Sequence, residues 1–384
     1  MNRNEQPSDP LKFAHIYTCH FGAGHMMAAK KLSTRLGNKL RIMTIDSVKV
    51  AFPLVHKIVY FLYNRMLYKR KRTFKAYLKV YDRENEVLPF FMKTMCKRYL
   101  RYMRKRQRPD VIFAVYGLAA NIISTYKRDH DPDLLTVTMI TDFCVYDSWI
   151  NEGTDLYLVG APYTRDLLIE RGIDPEKIIV YGFALPSETE KNLVGRELPI
   201  RSNGNSKEAI CSDSDTDDAD RINLLIAGGV LGLLPEETDF YAKLSAHPGV
   251  HINVICGKNE TLRKNLEAAG LPNVRAYGFI DNMFDHLAWA DIFMGKAGGL
   301  SCMEAIHMEV PILYLPPFLP HEAKNADFFE ISGIGRLYDH ETTATADAFD
   351  RDFLNAAAEN MRKITASFEP ERLLTWLRER NLIQ

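Results

Sequence analysis

Short apolar runs recur along the chain, separated by stretches whose apolar positions follow helical spacing. In the first half the runs are Phe13–Thr18, Leu40–Ile45, Val111–Val115, Leu135–Ile140, Leu156–Val159 and Ile178–Val180. Their spacing fits βαβ units around a parallel sheet. From 186 to 221 the character changes. Ser202-Asn203-Gly204-Asn205-Ser206 and Ser212-Asp213-Ser214-Asp215-Thr216-Asp217-Asp218 cannot pack a core, so this stretch reads as a flexible linker or insertion. A second alternating set begins at Ile222–Ala227 and continues through His251–Cys256, Val274–Tyr277, Asp291–Met294 and Pro311–Leu315. The pattern predicts an α/β chain of two doubly wound domains, 11–185 and 222–384, with the last helix a candidate to pack back on the first. In open α/β sheets ligands bind beyond the carboxyl ends of strands, so the glycine turns are expected to face a shared cleft.

Two of those turns carry candidate chemistry. His15-Ile16-Tyr17-Thr18 runs into Cys19-His20-Phe21-Gly22-Ala23-Gly24-His25 and then an alanine-rich helical stretch. Gly22 and Gly24 lack the third glycine of a dinucleotide fingerprint, and His25 stands where the loop enters the helix. A cation there is electrostatically unfavourable, which favours the neutral, proton-accepting imidazole and suits a general base for a hydroxyl. The second turn is Met294-Gly295-Lys296-Ala297-Gly298-Gly299-Leu300, opening a helix that carries Glu304 about one turn in. Gly298 and Gly299 allow close backbone approach, and their amides with the positive helix end suit an anion. Glu304 is placed to accept hydrogen bonds from a ribose diol. Together they suggest a nucleotide diphosphate with its sugar nearby; the plainer alternative is a turn that merely needs glycine.

The composition narrows the classes. At 384 residues, with 49 basic and 49 acidic side chains, the chain is neutral overall but unevenly so. Between Lys57 and Arg108 there are seventeen Lys or Arg against Asp82, Glu84 and Glu86, and acids concentrate in Asp213–Asp220. The six cysteines show no paired metal spacing and read as reduced thiols of a cytosolic protein. Residues 1–10 are polar, unlike a signal peptide, and no run approaches the roughly 18 to 20 apolar residues of a spanning helix. Asp213-Ser214-Asp215 lies in low-complexity sequence, so no metal site is expected there.

Taken in order, Gly22-Ala23-Gly24-His25, Met139–Cys144 with Trp149, Ile255–Asn259, Lys296-Ala297-Gly298-Gly299 with Glu304-Ala305, and Glu322 with Asn325–Phe329 make a specific set. They resemble the monogalactosyldiacylglycerol synthase and processive diacylglycerol glucosyltransferase family, glycosyltransferase family 28, related to the peptidoglycan N-acetylglucosaminyltransferase. The resemblance implies two Rossmann-like domains facing a cleft (GT-B type) and inverting transfer of a hexose from a UDP-sugar, UDP-glucose before UDP-galactose. It implies no metal and no cofactor, the UDP-sugar being a substrate. Carried over, Phe279 and Ile280 border the uracil, and Gly298, Gly299 and Leu300 hold phosphate beside Lys296. Glu304 holds the ribose, and His321, Glu322 and Asn325 reach sugar hydroxyls. Gly228 and Gly229 line the cleft. His25 leads as the base, with Asp142 as its orienting partner or as a competing base. The chain departs from the pattern at Tyr146, Asn151, Ala297 and His321, on the acceptor and donor-sugar sides.

The basic aromatic stretch Phe52–Arg108 alternates apolar side chains with cations, a pattern suited to anionic lipid headgroups. A nucleic-acid surface is the rival reading, and no nucleic-acid partner is expected. The expectation is a cytoplasmic enzyme attached peripherally to the inner face of the cell membrane, acting on diacylglycerol or a glycosyl-diacylglycerol. The alternatives are N-acetylglucosaminyl transfer to a polyprenyl-linked precursor and a non-catalytic UDP-sugar or lipid sensor.

Overall fold

The computed structural model describes residues 11–21, 24–68, 97–187, 190, 192–193, 221–317, 319–340 and 348–384. Gly22, most of the expected linker with its acidic run, and the middle of the basic aromatic stretch lie outside the described residues. Contacts divide the chain into two units. Unit 1 holds residues up to Thr141, Val145–Phe183 and Glu369–Gln384; unit 2 holds Asp142–Cys144 and Ala184–Phe368.

Unit 1 is built on a six-stranded parallel sheet in the order β2-β1-β3-β4-β5-β6. The strands are β1 (Phe13–Thr18), β2 (Arg41–Asp46), β3 (Val111–Ala114), β4 (Leu135–Met139), β5 (Leu156–Val159) and β6 (Ile178–Val180). Every residue of β1 is buried, as expected of an interior strand covered on both faces. Helix α1 (Gly24–Leu36) packs through Ala28, Ala29, Leu32 and Leu36, an apolar stripe at helical spacing. The short α2 (Ser47–Ala51) is capped by Asp46, whose carboxylate accepts the Val48 and Lys49 amides. α3 (His56–Tyr68), a helical segment at 97–104, α4 (Gly117–His130) and α5 (Pro162–Glu170) follow.

Unit 2 has a second six-stranded parallel sheet in the order β12-β11-β10-β7-β8-β9. Its strands are β7 (Ile222–Ala227), β8 (Val250–Ile255), β9 (Val274–Tyr277), β10 (Ile292–Gly295), β11 (Ile312–Tyr314) and β12 (Gly335–Leu337). Counted from β7, this is the 3-2-1-4-5-6 order of the dinucleotide-binding fold, with strand order reversing between β7 and β10. The helices are α6 (Thr238–Ser245), α7 (Glu260–Ala269), α8 (Met283–Trp289), α9 (Gly299–His307), α10 (Pro320–Ile331) and α11 (Arg351–Ala366). The sequence shows no pattern for β12, because three edge residues with Arg336 in the middle leave no periodicity to read.

The last helix, α12 (Pro370–Glu379), belongs to unit 1. The Glu369 amide donates to Val180 O at 2.8 Å, and Arg35 pairs with Glu371 at 2.5 Å. Among the described residues no helix is long and apolar enough to cross a membrane.

Candidate active site

In unit 2 the turn after β7 and the turn after β10 both lie at the point where strand order reverses, the place where open α/β sheets take ligands. The β7 turn is knitted to the end of β8. Gly232 N donates to Gly229 O at 2.9 Å, Lys258 N to Val230 O at 2.9 Å, and Asn259 Nδ2 to Gly232 O at 3.2 Å. Gly232 has φ +63, and a Cβ there would stand 1.9 Å from Cys256 O, so only glycine fits.

Gly298 differs. It is the N-cap of α9 at φ −90, ψ 151, where any residue is allowed, and no side chain caps the helix. A Cβ there would meet nothing nearer than Lys296 Cε at 3.4 Å. The fold does not demand glycine at this position; the Gly298 amide itself donates to Lys296 O at 2.7 Å, and the first amides of α9 have no side-chain cap.

Lys296 joins the two turns. Its Cε lies 3.6 Å from where a Gly229 Cβ would be, and its Nζ donates to Glu322 Oε1 at 3.1 Å. Glu322, whose side chain is buried, also accepts the Leu319 amide through Oε2 at 3.3 Å. Asn325, one turn on, donates to Ala297 O and to Asp142 Oδ1, each at 3.1 Å, and accepts the Phe143 amide at 2.9 Å. Phe143 stacks on Phe328 with centroids 4.6 Å apart. Gly229, Lys296, Gly298, Glu322, Asn325 and Asp142 are thus gathered into one polar patch in unit 2. Gly228 and Gly299 lie on the same two turns, Leu300 and buried Glu304 on α9, and half-buried His321 beside Glu322. Phe279 and Ile280 stand apart, beyond the end of edge strand β9, with Phe279 exposed.

In unit 1, His25 sits in the first turn of α1, at the corresponding reversal between β1 and β3. Its Nδ1 lies 2.9 Å from Thr141 Oγ1, and its ring packs 5.3 Å from Tyr116 and 6.5 Å from Trp149. An Nδ1–H donated to that hydroxyl leaves Nε2 with the lone pair a base needs. Sequence reasoning offered Asp142 as either an orienting partner or a competing base and did not single out Thr141. The only signal was a hydroxyl at the end of an apolar strand. The preceding loop is held by α3: Tyr60 Oη donates to Asp46 at 2.7 Å and accepts the His20 amide at 3.1 Å. Phe21 packs on Tyr60, Tyr63 and Tyr116. On its outer face α3, with the turn before it, exposes Leu54 (94%), Ile58 (57%), Phe61 (59%) and Leu62 (58%).

Residues 25–185 match the family described as monogalactosyldiacylglycerol (MGDG) synthase, and residues 229–370 the glycosyltransferase family 28 C-terminal domain. A processive diacylglycerol beta-glucosyltransferase of Bacillus licheniformis is 26% identical over 382 residues, covering 96% of this chain and 95% of that protein. One from Bacillus cereus is 25% identical over 350 residues, covering 88% and 85%. The chain thus combines an MGDG synthase domain with a glycosyltransferase family 28 C-terminal domain. Among solved structures, MurG of Acinetobacter baumannii matches with a TM-score of 0.58 at 15% identity, over 96% of this chain and 99% of that one. The calicheamicin glycosyltransferase CalG4 matches at 0.55 and 14%, over 96% and 98%. Both share the GT-B fold seen here as two parallel six-stranded sheets. The polar patch of unit 2 and the His25 cluster of unit 1 each gather sequence-predicted site residues, each at the strand-order reversal of its own sheet.

Proposed function

We propose that this glycosyltransferase moves a hexose from a UDP-sugar, UDP-glucose first, to diacylglycerol or a glycosylated diacylglycerol, inverting the anomeric centre without a metal. The observation that carries the donor half is the pairing of an uncapped α9 N-terminus at a permissive glycine with an ammonium fixed by a buried carboxylate, Lys296 on Glu322. These groups neutralise the charge that develops on a leaving diphosphate. Glu304 takes the ribose, Phe279 and Ile280 border the uracil, and His321, Glu322 and Asn325 meet sugar hydroxyls.

In the acceptor half His25 Nε2 removes the proton of the lipid hydroxyl as its oxygen attacks the anomeric carbon. The new C–O bond forms opposite the bond to the diphosphate, which breaks with its electron pair leaving on UDP. Asp142, turned toward Asn325, is the competing base. The acceptor comes from a bilayer, and the exposed apolar face of α3, with Lys57 and Arg65 on the same helix, is suited to an anionic membrane surface.

Two substitutions separate the halves. His25→Ala should abolish transfer while UDP still binds in calorimetry, and Glu304→Ala should weaken UDP binding. Normal turnover in the first, or unchanged UDP affinity in the second, refutes the corresponding role.

A further inference from the structure

Unit 1 contains a cavity of about 210 Å³ bounded by α2, α3, the segment at 97–104 and α4. Val48, Val59, Tyr99, Leu118 and Ile122 line it, with Ser47 among them. Phe21 and Tyr116 also line it, and Tyr116 is the ring that packs against His25. The Tyr116 ring therefore stands between the space and the candidate base. A dry apolar cavity of about 150 Å³ already admits benzene, so this one has room for a hydrocarbon segment of about six to eight carbons.

Two further features say what the occupant is. Ser47 is buried, and its Oγ has no hydrogen-bond partner among the described residues, a donor in a largely apolar wall. α3 separates the cavity from the outside: Val59 faces in, while Ile58, Phe61 and Leu62 on the same helix are exposed. An apolar chain with a single polar acceptor near its head, arriving from an apolar phase, matches both walls.

We propose that this cavity is an acyl-chain pocket. It takes one fatty acyl chain of the lipid acceptor, with Ser47 Oγ donating to the ester carbonyl, and so holds the glyceryl hydroxyl at His25. The inference rests on the lipid-acceptor reading above and adds to it the place where the chain is gripped. It makes the enzyme a reader of chain length as well as of headgroup.

The test compares the full chain with Val59→Trp, which fills the cavity from α3. The acceptors are diacetyl-, dibutyryl-, dihexanoyl- and dioctanoylglycerol with one UDP-sugar. In the unsubstituted enzyme kcat/KM should climb from dibutyryl to dioctanoyl acceptor. In Val59→Trp the ratio of those two values should fall about tenfold or more. Equal ratios in the two proteins overturn the pocket while leaving diacylglycerol transfer intact. No transfer to any diacylglycerol by the unsubstituted enzyme overturns the acceptor reading and the pocket with it. A measurement that needs no variant uses diacylglycerol carrying a terminal diazirine on its acyl chains. Photolabelling of peptides containing Tyr99, Leu118 or Ile122 supports the pocket. Label confined to Phe61 and Leu62, or no label, overturns it.

Discussion

Gly298→Ala separates a glycine kept for a ligand from one kept for the fold. The backbone at 298 has φ −90, ψ 151, and the added methyl would come no nearer than 3.4 Å to any neighbour, the flexible end of Lys296. Alanine is a poorer N-cap than glycine but restricts the unfolded chain, and the two effects offset to within about 1 kcal/mol. Binding should respond differently. In the proposed donor site the methyl would stand where a phosphate approaches the α9 amides, with Lys296 Nζ only 3.6 Å from it. Losing one charge-assisted hydrogen bond costs about 1.5–3 kcal/mol, or roughly ten- to a hundredfold in the Kd for UDP. Gly232→Ala is the contrasting case, with φ +63 and a Cβ 1.9 Å from Cys256 O. The left-handed φ alone costs about 1–3 kcal/mol there, before the backbone has moved aside. Calorimetric titration with UDP and a thermal melt on the same preparations give both readouts. A Gly298→Ala protein that binds UDP like the parent, or that melts as early as Gly232→Ala, refutes the reasoning.

Lys296→Met should weaken UDP at least tenfold while uridine binds as before, since the ammonium is assigned to the diphosphate; equal losses for both ligands in competition binding would count against it. His15 gives a pH prediction. It is fully buried in β1 with neither ring nitrogen hydrogen-bonded among the described residues, and burial, helped by Arg106, lowers its pKa to about 4. Because the unfolded imidazole titrates near 6.5, the unfolded state binds more protons below that pH. Stability should be flat above about pH 6.5 and fall by about 3 kcal/mol on acidification toward pH 4. His251 and His286 are lowered too, so His15→Leu should reduce the slope of the urea midpoint against pH without removing it. An identical slope in the variant would refute the assignment.

Much of this was legible in the chain because most strands are short, largely apolar runs bounded by polar or glycine residues. Phe13–Thr18, Leu156–Val159, Ile178–Val180 and Val274–Tyr277 form with the bounds their sequence suggests. The glycine turns were legible for the same reason: each interrupts such a run just before helix-forming residues. What escaped was whatever depends on residues distant in sequence. Thr141 meets His25 across 116 positions, and Lys296 meets Glu322 across 26. The cavity draws its walls from residues between Phe21 and Ile122, none of which is unusual alone. The distinction between Gly232 and Gly298 also needs coordinates, because one letter serves a steric demand at the first and open space at the second.

The most direct test of the central claim is transfer itself. Purified protein is incubated with diacylglycerol in anionic vesicles and, separately, UDP-glucose, UDP-galactose and UDP-N-acetylglucosamine, with released UDP and lipid products measured together. The account predicts UDP release matched by a hexosyl-diacylglycerol, from UDP-glucose before the others. Absence of product from every donor, together with no detectable binding of UDP, would contradict it.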